Sequence, residues 1–178
     1  MKISDFQLIL HRLEVKGSNL FSVAEIGMML SEKGETLSSS IKRSVRSGYL
    51  KKVANGLYAN ALTKNNEDML YKVAAKLRPG EINYLSNESV LCNLSIISQQ
   101  MLDRITVMTT GRSGIFKTPY GVVEFTHTKR NSTKLVKQLT KVKGIPILFA
   151  NKQIAVRDLK RIGRNVNMID WEEFRESE

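Results

Sequence analysis

A single cysteine, Cys92, stands among the 178 residues, so the chain can form no internal disulfide. Its setting in the apolar run Val90-Leu91-Cys92 suits a buried, inert thiol better than a nucleophile. Histidine is nearly as scarce. His11 and His127 lie far apart; His11 reads as a structural or exposed residue, and His127 has no cysteine or acid at metal-ligand spacing. There is no Walker loop, no nucleophile elbow and no paired-carboxylate motif. The sequence therefore offers no catalytic residue, no metal ligand and no cofactor motif, and an enzyme is not expected. No apolar run approaches the roughly 18 residues that span a bilayer. Lys2 is followed by a mixed polar segment, not by the apolar block of a secretory leader. A cytoplasmic protein with no membrane partner is the expectation.

Acids are also in short supply. Seventeen Asp and Glu face 28 Lys and Arg, for a net charge of +11. Such an excess favours a polyanionic partner. Its distribution is uneven. From Thr36 to Asn60 there are five cations (Lys42, Arg43, Arg46, Lys51, Lys52) and no acid. From Lys129 to Arg164 there are eleven cations and one acid, Asp158. After Arg164 the sign reverses, with Asp170, Glu172, Glu173, Glu176 and Glu178 against Arg175. At 42% apolar residues the remainder is ordinary for a globular chain that buries one good core or two small ones.

The first basic zone sits in a recognisable order of elements. Ser4 and Gln7 suggest a capping box for a first helix with Phe6, Ile9, Leu10 and Leu13 on its apolar face. Ser22 and Glu25 suggest another box, opening a second helix over Val23, Ile26, Met29 and Leu30. A turn around Lys33-Gly34-Glu35 leads to a third helix from Thr36, closed by Gly48 in a left-handed cap. On that helix Leu37, Ile41 and Val45 fall in one stripe, and Ser39, Lys42, Arg43, Arg46 and Ser47 lie opposite. Tyr49 to Val53, the Ala54-Asn55-Gly56 turn and Leu57-Tyr58-Ala59 read as a basic hairpin. Helix, turn, helix and hairpin in this order predict a winged helix-turn-helix, which sets one helix in the major groove and a wing against nearby phosphates.

After Ala61 the pattern changes, and a boundary falls at 62/63. Asn65-Asn66 suggest a cap for a helix carrying Met69, Leu70, Val73, Ala74 and Leu77, ended by Pro79-Gly80. A strand at Tyr84-Leu85, a helix capped by Ser86, a strand over 105–109 and a hairpin turning at Pro119-Tyr120-Gly121 follow. Ser132 and Thr133 suggest a helix with Leu135, Val136, Leu139 and Val142 inward, placing Lys134, Lys137 and Lys141 on a shared face. Ile145 to Ala150 reads as a buried strand whose Pro146 marks an edge or a start. Ala155 to Ile162 reads as a helix capped by Gly163, with a short helix near 170–174. The fold class expected is α+β, with a winged helix-turn-helix at 1–62 and a mixed α/β domain at 63–178.

Several of these segments resemble the AbiEi antitoxins of abortive-infection type IV toxin–antitoxin systems. The likeness is carried by Tyr84-Leu85-Ser86-Asn87-Glu88-Ser89-Val90-Leu91, by Ile105 through Ser113, and by Phe116-Lys117-Thr118-Pro119-Tyr120-Gly121 followed by Phe125-Thr126-His127. Val53-Ala54-Asn55-Gly56-Leu57-Tyr58 is similar to the wing of such proteins. The chain departs from the pattern at Ser89, where the family often has alanine, and at Asn93, where it has glycine. The resemblance implies an autorepressor that binds inverted repeats in its own promoter as double-stranded DNA. It also implies a C-terminal domain that neutralises a nucleotidyltransferase-like toxin without a stable complex. Whether the free chain is a monomer or a dimer is left open, and two copies can meet on DNA.

On this reading Arg43 and Arg46 are base readers, because an arginine fork can pair two guanine acceptors. Ser39 and Lys42 serve at the groove edge, and Lys51, Lys52 and Asn55 touch backbone through the wing. Plain phosphate contact is the alternative for each of them. Lys134, Lys137 and Lys141 form a candidate second basic surface for DNA, RNA or an acidic partner. Thr110-Gly111-Arg112-Ser113-Gly114 could cradle an anion, although such loops are usually plain turns. The rival functions are a stand-alone regulator of a mobile element and, less favoured, a nucleic-acid-processing enzyme.

Overall fold

The computed structural model describes residues 3–63, 68–98, 103–130 and 132–176. Helices and sheets are both present, giving an α+β fold. The chain divides after Glu67 into two compact units. The division falls a few residues beyond the 62/63 boundary read from the sequence. The proposed Asn65-Asn66 cap lies outside the described residues.

Unit 1 runs α1 (Ile3–Val15), β1 (Leu20–Ser22), α2 (Val23–Leu30), α3 (Gly34–Arg46), β2 (Leu50–Ala54) and β3 (Leu57–Asn60). The three strands form an antiparallel sheet in the order β1-β3-β2. One core joins them, built from Phe6, Leu10, Phe21, Ile26, Leu30, Leu37, Ile41 and Leu50. Among the described residues α1 runs from Ile3, so Ser4 falls within its first turn rather than before it. α2 starts as its sequence dictates. The Ser22 hydroxyl accepts from Glu25 N at 3.2 Å, and the Glu25 carboxylate accepts from Ser22 N at 2.7 Å. That reciprocal pair satisfies two backbone donors left free at a helix start. α2 and α3 meet closely at Gly27. A Cβ there would stand 3.0 Å from both the Glu32 carbonyl and Leu37 Cδ2, so only glycine lets the helices approach this far.

Asn60 is a polar pin that sequence patterning did not reveal. It is 2% exposed, and its side-chain amide donates to Glu14 Oε2 at 3.1 Å and to the Leu10 carbonyl at 3.5 Å. Its own carbonyl oxygen accepts from Leu62 N. This ties the end of β3 to α1, and a buried amide held on three sides specifies one arrangement.

Unit 2 contains α4 (Met69–Leu77), β4 (Asn83–Leu85), α5 (Asn87–Asn93), β5 (Arg104–Thr109), β6 (Gly114–Thr118) and β7 (Gly121–His127). It continues with α6 (Ser132–Val136), β8 (Thr140–Lys141), β9 (Leu148–Phe149), α7 (Lys152–Ile162) and α8 (Trp171–Glu176). The strands order as β6-β7-β5-β4-β9-β8 in a mixed sheet. β4 pairs β5 antiparallel, whereas β5–β7 and β4–β9 are parallel. α4 and α5 cover the sheet with Met69, Val73, Val90 and Leu91, and α7 adds Ile154 and Leu159. α7 is capped by Asn151, whose side chain accepts from Ile154 N, and it closes at Gly163 in the left-handed region.

Two sequence readings fail in this unit. The helix expected to carry Lys134, Lys137 and Lys141 stops at Val136. Turn bonds from Gln138 N to the Leu135 carbonyl and from Leu139 N to the Val136 carbonyl end it, and Thr140-Lys141 then pair with β9. Of its four expected inward residues only Leu135 is buried, so too little apolar area was available to hold a longer helix. The strand read over 145–150 is only Leu148–Phe149, and it lies between β4 and β8 rather than at an edge. Pro146 precedes it, which leaves both ladders intact.

Candidate nucleic-acid interface

α3 has two unlike faces. Leu37, Ser40, Ile41 and Ser44 are buried, while Ser39, Lys42, Arg43 and Arg46 are exposed. The docked face is rotated from the one expected. Val45 is 37% exposed, and Ser44 takes its place. At 100° per residue Ser44 lies about 20° from Leu37, whereas Val45 lies about 80° away. Serine can be buried here because its hydroxyl is satisfied within the helix: Ser44 Oγ donates to the Ser40 carbonyl at 2.9 Å. The helix also begins earlier than read, at Gly34, with Lys33 in the capping position and no side-chain cap. Thr36 is therefore inside the first turn. The preceding turn is made by Ser31, in the left-handed region at φ 55°, with Glu32 and Lys33 following.

The hairpin brings more cations to the same unit. In β2, Leu50 and Val53 are buried and Lys51 and Lys52 are exposed. Lys51 opposite Ala59 and Lys52 opposite Tyr58 are in regular register, so the two lysines point to opposite faces of this edge strand. The register then shifts to Ala54 opposite Leu57, leaving Val53 as a bulge. Asn55 stands exposed at the tip beside Gly56, whose φ is +73°. The Gly56 carbonyl accepts from Val23 N at 3.1 Å, which ties the hairpin tip to the start of α2. Unit 1 thus presents an acid-free set of side chains from one helix and one hairpin: Ser39, Lys42, Arg43, Arg46, Lys51, Lys52 and Asn55.

The second basic zone resolves into two kinds of cation. Lys134, Lys137 and Lys141 are all exposed, but they sit on α6, the following turn and β8 rather than on one helix face. Arg130 and Arg164 turn inward. Arg130 Nη2 lies 2.8 Å from Oδ1 of Asp158, the acid that is fully buried in this zone. Asp158 Oδ2 also accepts from the Ser86 hydroxyl at 2.8 Å and the Tyr84 hydroxyl at 3.1 Å. Burial raises the Asp158 carboxyl above its ordinary range, against the opposing pull of Ser86 and Arg130. Burial and the neighbouring Asp158 charge likewise hold the Tyr84 hydroxyl protonated. Ser86 occupies the capping position of α5, but its hydroxyl goes to Asp158 and makes no cap bond.

Arg164 anchors a neighbouring cluster. Its guanidinium binds Glu88 through Nε at 2.7 Å and Nη2 at 3.2 Å, and it also reaches Glu124. Arg104 adds a second pair to Glu124 at 2.9 Å. Ser86, Asn87, Glu88 and Ser89 are all buried, so this polar run is interior framing rather than a reactive surface. Cys92 is half-buried rather than fully buried, and desolvation with the nearby Glu88 charge pushes its thiol up. His11 is exposed on α1, and exposed His127 pairs through Nδ1 with the Gly111 carbonyl at 2.8 Å. Gly111 N donates to Thr109 Oγ1, and the Glu81 carboxylate binds Thr110. An engaged amide beside an acid does not suit the loop to an anion. Among the described residues no three His, Cys, Asp or Glu gather in a way that could hold a metal ion. No described helix is long and apolar enough to cross a membrane.

No protein-family model matches the chain, and no curated protein matches it. Its fold is similar to the crystal structure of the RV2827C protein from Mycobacterium tuberculosis. The two share 14% identity with a TM-score of 0.52, over 93% of this chain and 68% of that one. At that identity the likeness speaks for the fold alone.

Proposed function

We propose that the chain is a sequence-selective DNA-binding repressor whose unit 1 is a winged helix-turn-helix. One observation carries the reading: α3 buries Leu37, Ser40, Ile41 and Ser44 while the cations of its other face stay exposed, next in sequence to an edge hairpin with two exposed lysines. The order of elements and the α3 surface suit insertion of α3 into the major groove. Lys51, Lys52 and Asn55 then meet flanking backbone. Phosphate contacts supply affinity, and Arg43 with its neighbours supplies sequence choice.

The resemblance to AbiEi antitoxins extends the proposal. The chain then acts in the cytoplasm as an antitoxin and autorepressor, not as an enzyme. It binds inverted repeats upstream of its own operon, and its C-terminal unit neutralises a nucleotidyltransferase-like toxin. The exposed Lys134, Lys137 and Lys141 serve either that DNA contact or the neutralisation. Reversing their charge separates the two: lost repression with retained neutralisation assigns them to DNA.

The first test is selection of a site by the purified chain from a randomised duplex pool. Arg43→Ala should then cost about 1–3 kcal/mol on the selected site and less on random DNA. Equal losses on both would leave Arg43 as a phosphate contact. The second test is the neighbouring reading frame. A nucleotidyltransferase-like product whose toxicity this chain relieves supports the antitoxin role. A product without toxicity leaves a stand-alone regulator.

A further inference from the structure

The two arginines of the α3 surface are not equivalent. Arg43 Nη2 donates a 3.1 Å hydrogen bond to Ser40 Oγ, one turn nearer the helix start. Ser40 is 8% exposed, so its hydroxyl is a shielded acceptor at the border of the docked face, while its carbonyl separately receives the Ser44 hydroxyl. Among the described residues Arg46, in the last turn, has no such tether.

We propose that Ser40 is a positioning residue that aims Arg43 at a base edge, so that Arg43 reads sequence and Arg46 holds backbone. This rests on the DNA-binding reading above. Helical side chains already lean toward the helix start. The Ser40 bond narrows that lean to one direction, toward the N-terminal half of α3, which is the part of a recognition helix that faces base edges. It engages one of the five guanidinium N–H donors and leaves a pair for the two acceptors of a guanine. A phosphate contact needs no such aim, because a charge is attracted over a range of approaches. A base-edge contact does, because immobilising a long, rotamer-rich side chain on binding carries an entropic cost that a pre-set geometry removes.

The test uses the full chain and the duplex site it selects from a randomised pool, with random duplex as the control. Ser40→Ala removes only a hydroxyl and keeps every charge. It should weaken binding to the selected site about 2- to 10-fold. Binding to random DNA and the salt dependence should be unchanged. In an Arg43→Ala background the same substitution should change nothing further. Arg43→Lys, which keeps the charge without the fork, should lose selectivity and become indifferent to Ser40. An equal loss from Ser40→Ala with and without Arg43, or on selected and random DNA alike, would overturn the assignment and leave Ser40 as a packing residue. A wild-type chain that enriches no sequence would overturn the DNA-binding reading itself, with melting curves of each variant checking that α3 remains folded.

Discussion

Glu88→Gln is the substitution whose outcome follows most fully from the structure. Glu88 is 2% exposed and accepts from Arg164 Nε at 2.7 Å, Arg164 Nη2 at 3.2 Å and Asn165 Nδ2 at 2.9 Å. Glutamine keeps one oxygen for these donors, and it turns an amide against a guanidinium. Charge-assisted bonds are each worth about 1.5–3 kcal/mol net. Arg164 retains Glu124 and a side chain 37% exposed, so it is not left wholly unpaired. The expected loss is about 2 kcal/mol, or about 6–12 °C in melting temperature for a unit of this size. The pH dependence is the sharper signature. Burial alone would raise the Glu88 carboxyl, but the Arg164 bonds outweigh it and hold the group below its ordinary value of 4.5. A carboxyl lowered in the folded state contributes stability above its unfolded pKa and loses it as pH falls through the folded one. Denaturant melts of wild type and variant should therefore differ at pH 7 and draw together as the pH falls below 4.5. A difference that stays constant down to pH 3 would refute the ion-pair account of Glu88.

Other outcomes follow in the same way. Asp158→Ala strands Arg130, which is 14% exposed, and should cost about 3–5 kcal/mol by chemical denaturation. Asp158→Asn should cost less, because it keeps an acceptor for Ser86 and Tyr84. Gly121→Ala places a Cβ 2.5 Å from the Asp103 carbonyl at a φ of +128°. It should cost about 3 kcal/mol or more in a thermal melt, from strain and overpacking together. Lys51→Ala with Lys52→Ala should lower the salt dependence of DNA binding by about two units of log–log slope while sparing sequence preference.

The parts of the fold that were legible in the sequence are those governed by local rules. Ser22 and Glu25 announce α2 because a capping box is complete within four residues. The Asn55-Gly56 turn and the basic character of α3 follow from residue types alone. The failures share a cause in distant partners. Val45 lost its place to Ser44 because a serine can be buried once its hydroxyl finds a backbone carbonyl, and no hydropathy stripe anticipates that. The helix after Ser132 stopped early because β9 offered Thr140-Lys141 a ladder instead. Ser86 capped nothing because Asp158, far along the chain, took its hydroxyl. The candidate DNA contacts are exposed, as their residue types suggest. The bond that distinguishes Arg43 from Arg46 depends on rotamers, which residue type does not fix.

The most direct measurement is the affinity of the purified chain for its selected duplex between 50 and 200 mM salt. The four backbone-contacting cations Lys42, Arg46, Lys51 and Lys52, if each displaces one counterion, give a log–log slope of about −3 to −4 and a loss of about a hundredfold across that range. Replacing all four with alanine should flatten it to near zero. A shallow slope in the wild type, or a steep one that survives the quadruple substitution, would contradict the assignment of residues 36–58 as the surface that grips DNA.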